Sequence, residues 1–113
     1  MRAIGPSLAN YGVQGALVKP QLTLVRSTDQ AIVAANDDWG SAGNAAQIQS
    51  SGFAPSNPLE SAIYITLDPG AYTAIVNGVA NGTGVGLVEV YKVGPQVVTV
   101  QLSTLGQISF VLA

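Results

Sequence analysis

Neither cysteine nor histidine occurs among the 113 residues. Their absence excludes thiolate nucleophiles, imidazole general bases, disulfides, and zinc or copper centres built from the usual ligands. Charge is scarce as well: 9% of residues are charged, against about 25% in an ordinary soluble domain. Four basic and six acidic residues leave a net charge of −2, which is too weak and of the wrong sign for a nucleic-acid footprint. No apolar run approaches the roughly 18 residues of a membrane-spanning helix, so no membrane insertion is expected. The stretch from Met1 to Pro6 has no apolar core of the signal-peptide kind. A carboxylate pair, Asp37 or Asp38 with Glu60, is formally available for glycosidase-like chemistry. Nothing in the spacing demands it, and a chain this short leaves little room for a substrate cleft, so no enzyme is expected.

What the chain does have is 48% apolar residues, 13 glycines and 6 prolines, enough for one domain with one core over residues 1–113. Turn signals at regular intervals cut it into short apolar segments, the pattern of an antiparallel sandwich or barrel. Strands are expected at Leu22–Val25, Ala31–Ala35, Ile63–Leu67, Ala71–Val76, Val85–Val93, Val97–Leu102 and Ile108–Leu112. Asp68-Pro69-Gly70 is a tight-turn sequence that would join Ile63–Leu67 to Ala71–Val76 as a hairpin. One short helix is expected between Ser41 and Ser50, begun at Asn44 and stopped at Gly52, inside a long excursion. The fold class is therefore all-β, an antiparallel β-sandwich or barrel with one short helix in a long loop. A surface poor in Lys and Glu and rich in Asn, Gln, Ser, Thr and Gly suits the extracellular space or the cell surface.

An ordered series of motifs adds a resemblance. Arg2-Ala3-Ile4-Gly5-Pro6-Ser7-Leu8, Gly15-Ala16-Leu17, Leu22-Thr23-Leu24, Asn36-Asp37-Asp38-Trp39 and Leu59-Glu60-Ser61-Ala62-Ile63 come first. Pro69-Gly70-Ala71-Tyr72-Thr73-Ala74-Ile75-Val76 and Gly86-Leu87-Val88-Glu89-Val90-Tyr91 follow. The series looks like the repeated β-domain of large secreted proteins from environmental bacteria. It is more distantly similar to the bacterial pre-peptidase C-terminal domain, a small jelly-roll-like sandwich. The resemblance spans about residues 2–92 and implies an extracellular, non-catalytic module, often in tandem, with calcium-binding and collagen-binding relatives. A strand pair that usually precedes the Arg-Ala-Ile-Gly-Pro segment is missing, while Leu102–Gln107 resembles the opening of a next repeat. Residues 92–113 thus read as a strand-exchange or next-repeat segment, folding back within the molecule or docking on a neighbour.

Two sites follow. Asn36, Asp37 and Asp38 form the densest oxygen cluster, suited either to Ca²⁺, with its six to eight oxygen ligands, or to a self-bonded turn. The resemblance implies Glu60 as a further ligand from a distant loop. Trp39, the single tryptophan, is either a stacking platform for a sugar ring or an anchor into the core. The alternative function is accordingly a calcium-dependent module for polysaccharide or matrix protein. The leading function is a structural module that self-associates by strand addition into a filament or layer, as a homo-oligomer or with tandem neighbours. Its expected contact residues are Val98, Val100, Leu102, Ile108, Phe110 and Leu112, on strands with no proline and almost no charge to guard them. An ordinary closing hairpin, turning at Ser103-Thr104-Leu105-Gly106, is the other reading of the same strands.

Overall fold

The computed structural model describes residues 1–91, 98–102 and 107–112. The described chain is all-β, with two antiparallel sheets and little helix. The smaller sheet has the order β4-β1-β6 and the larger β3-β2-β5-β8-β7. Their strands are β1 (Arg2–Ile4), β2 (Pro20–Arg26), β3 (Ala31–Asn36), β4 (Ser61–Ala62), β5 (Gly70–Gly78), β6 (Leu87–Glu89), β7 (Val98–Leu102) and β8 (Gln107–Leu112). Among the described residues a single α-helix, α1 (Ala45–Ser51), lies in the excursion between β3 and β4.

Period-two alternation builds the core. Leu22 and Leu24 of β2 are fully buried, as is Ala74 of β5, and Tyr72 is nearly so. The register sets Leu24 opposite Ala74 and Leu22 opposite Val76, and partners across a ladder share a face. Ala3 of β1 and Ile63 complete the same buried cluster, so residues from both sheets share one core. Each buried leucine contributes about 1.5–3 kcal/mol by leaving water.

The helix stands where the sequence places it. Gly52 ends it in the left-handed conformation (φ 82°), which a residue without Cβ adopts cheaply. Asn44 precedes the helix but its side chain makes no capping bond; it donates instead to the Tyr64 carbonyl at 2.7 Å.

The segment Ile63–Leu67 departs from expectation. It is not a strand, and β5 does not pair with it: β5 lies between β2 and β8. Ile63 is held by the first residue, its N–H bonded to the Met1 carbonyl and its carbonyl to the Met1 amine. Tyr64 and Ile65 are 37% and 39% exposed. Pro69 has no N–H to donate and biases Asp68 to extended backbone, so the chain crosses here from one sheet to the other rather than turning back as a hairpin. The Tyr72 hydroxyl secures the crossing by donating to the Asp68 carbonyl at 2.6 Å, the geometry of a tyrosine corner. Of the long strand expected over Val85–Val93, β6 occupies Leu87–Glu89 and an isolated bridge joins Val85 to Ala16; its last two residues, 92 and 93, lie outside the described residues.

The closing hairpin forms within the molecule. β8 pairs with β5 from Gly70↔Leu112 to Ile75↔Gln107 and with β7 from Val98↔Leu112 to Leu102↔Ile108. Ser103–Gly106, read as its turn, lies outside the described residues. β8 is thus not a spare strand: both its edges are occupied, and among the described residues the free edge on this side belongs to β7.

Candidate functional site

The segment after β3 was the expected cation site, and its side chains are used in other ways. The Asn36 amide reaches both directions: its N–H donates to the Asp38 carbonyl at 2.9 Å, and its Oδ1 accepts the Ala62 N–H at 3.0 Å. This second bond fastens β3, at one edge of the larger sheet, to β4, at one edge of the smaller. Asp38 pairs with Lys19 at 3.2 Å, both about one-third exposed. The Asp38 carbonyl also accepts the Ser41 hydroxyl at 2.8 Å. Trp39 opens a short 3₁₀ turn, its N–H bonded to the Glu60 carbonyl at 3.0 Å. The indole is half-buried, and its Nε1 is enclosed without a hydrogen-bond partner among the described residues.

Glu60, expected as a distant ligand, is fully buried. Its Oε2 accepts the N–H groups of Gly5 and Ser7, both at 2.9 Å. Its Oε1 accepts the Ser7 hydroxyl at 2.8 Å and the Asn57 N–H at 3.3 Å. Four donors of its own chain therefore occupy the carboxylate at the start of the 3₁₀ turn Pro6–Tyr11, where unpaired N–H groups attract an acceptor. Burial of the group demands such a set of partners. Among the described residues, no three of Asp, Glu, His or Cys come together as a metal site. Asp37 alone of the four has no bonded partner among the described residues; it is half-buried and faces an open groove of about 370 Å³. The walls of the groove are Ala34–Asp37, Ser41–Asn44 and Ala62–Ile65. Trp39 is not among them.

A second cluster escapes sequence reasoning. The Arg2 guanidinium bonds to Glu89 at 3.0 Å, to the Tyr91 hydroxyl at 3.3 Å and to the Phe53 carbonyl at 3.2 Å. The Tyr91 hydroxyl donates to Glu89 in turn, and the Phe53 ring stacks on Tyr91 with centroids 4.2 Å apart. Partial burial works to raise the Glu89 pKa, but the Tyr91 and Arg2 hydrogen bonds and the Arg2 charge outweigh it and hold the carboxylate below its ordinary value. The pairing Arg2↔Glu89 follows from β1–β6 register, so an Arg and a Glu on two strands of unknown pairing were the only available signal.

The six expected self-association residues are three register pairs: Val98↔Leu112, Val100↔Phe110 and Leu102↔Ile108. Phe110 and Ile108 are also register partners of Tyr72 and Ala74. No family model, no curated protein and no solved structure matches the chain.

Proposed function

We propose that this chain is a non-enzymatic extracellular structural module that associates with further copies of itself through the free edge of β7. The two sheets around one core are read as a jelly-roll-like sandwich. The observation that carries the proposal is the character of that edge. Among the described residues β7 has one neighbour, β8, and its ladder runs without a register shift. Its sequence, Val98-Thr99-Val100-Gln101-Leu102, holds neither charge nor proline, the usual guards of an exposed edge. The opposite edge differs: β3 carries a bulge where its register shifts opposite Leu24 and Val25, and bulges interrupt strand addition. Low charge overall removes the repulsion that keeps copies apart. The extracellular setting rests on this composition and on the motif resemblance.

The experiment is light-scattering mass with electron microscopy on the full chain, beside Val100→Lys. The expected result is concentration-dependent dimers or polymers that Val100→Lys reverts to monomer. A clean 11.5 kDa monomer at high protein concentration would sink the reading. So would association that is indifferent to the lysine.

A further inference from the structure

We propose that the groove beside Asp37 binds a short neutral oligosaccharide. Its volume of about 370 Å³ falls at the low end of small-molecule sites, about 300–1,000 Å³. The lining is mixed. Tyr64 and Ile65, more than a third exposed, offer apolar surface and an aromatic ring, to which the C–H face of a sugar packs. Ala34, Ala35 and Ala62 add a small apolar floor.

Asp37 has both carboxylate oxygens available among the described residues. The Asn44 amide spends one N–H on the Tyr64 carbonyl, which leaves its Oδ1 to accept and a second N–H to donate. A sugar hydroxyl both accepts and donates, so it fits such a lining. The unpaired carboxylate repels an anion, so acidic sugars are disfavoured.

The same geometry disfavours an extended peptide. A strand laid on β3 would have to pass the bulge at one end and the Asn36–Ala62 bond at the other. The walls are also braced in advance: Asn36 ties β3 to β4, and Asn44 ties the helix entry to Tyr64. Little ordering is then needed on binding. The groove lies at the β3 edge, opposite β7, so this proposal stands or falls separately from self-association.

The test is a titration of the full chain followed by amide NMR. The probes are neutral tetrasaccharides of glucose, mannose and N-acetylglucosamine, a tetra-uronate, and a lysine-containing tripeptide. The expected result is saturable shifts at Ala35, Asp37, Asn44, Tyr64 and Ile65 with at least one neutral sugar. Tyr64→Ala and Asp37→Asn should each weaken binding by about fivefold or more, while Tyr11→Ser, exposed and outside the groove, leaves it unchanged. Retained spectral dispersion shows that each variant folds. The proposal is overturned if no neutral sugar saturates below about 10 mM, if only the uronate or the tripeptide binds, or if both groove variants bind like the parent.

Discussion

Ser7 and Glu60 are joined twice across 53 residues of chain, backbone N–H to Oε2 at 2.9 Å and hydroxyl to Oε1 at 2.8 Å. The pair pins the turn after β1 to the loop before β4. Glu60→Gln retains the size but turns an amide N–H₂ toward donors. An unsatisfied buried donor costs about 1–3 kcal/mol, so thermal unfolding should fall by on the order of 10 °C. An unchanged midpoint would mean that the carboxylate is not held as described.

Calcium tests the neighbouring loop. Asn36 and Asp38 are paired and Glu60 is enclosed, so of the four expected ligands only Asp37 is without a bonded partner among the described residues. We expect 1 mM Ca²⁺, far above the affinity of a sensor-type site, to leave the thermal midpoint within about 1 °C. A larger shift would show that the loop rearranges around the ion.

The Glu89–Arg2–Tyr91 cluster sets an acid limb. Glu89 is an acid whose folded pKa lies below its ordinary 4.5. Its contribution is fully present above that value and is lost as pH falls through the lower, folded one. For a partly exposed pair it is small, about 1 kcal/mol or less. Urea midpoints of the parent and Glu89→Gln should differ at pH 7 and converge toward pH 3.

The amine of Met1 acts with the opposite charge. Burial, aided by the Arg2 charge, lowers it from 8.0 to about 6. The unfolded chain then binds more protons between those values, so stability rises with pH from about 6 to 8 and is reduced below. The full span corresponds to about 3 kcal/mol. A chain with its amine acetylated should show no slope in that window, provided that it retains the fold.

Tyr72→Phe removes one hydroxyl bonded to the Asp68 carbonyl. Loss of the bond should cost about 1 kcal/mol, read as a lower urea midpoint with an unchanged slope. A change of slope would point to a rearranged crossing.

Sequence pattern was a good guide where one local rule decided the outcome. The alternation of Leu22 and Leu24, the glycine stop at Gly52 and the apolar terminal strands all stand in the structure as strands and helix. Ile63–Leu67 alternates just as well yet forms no strand, because Met1 takes the backbone of Ile63 and the chain must cross between sheets. The site residues divide in the same way. Asn36–Trp39 runs from the end of β3 to the start of the next turn, as its composition indicates. What each side chain bonds to depends on Lys19, Ala62 and the first seven residues, and spacing carries no information about them. Glu60 reads as a spare ligand in sequence because its donors are mostly backbone N–H groups, which leave no mark in the sequence.

The position of β8 has a consequence for the order in which the molecule is completed. β5 gains β2 from residues already made, but its other edge must wait for residues 107–112. At about 5–20 residues per second, some thirty further residues take seconds to synthesise. During that interval β5 presents an open ladder to any passing strand. A second nascent copy can supply its own β8 to that ladder, so the same pairing that closes one molecule can link two, and crowding on a polysome would favour the exchange.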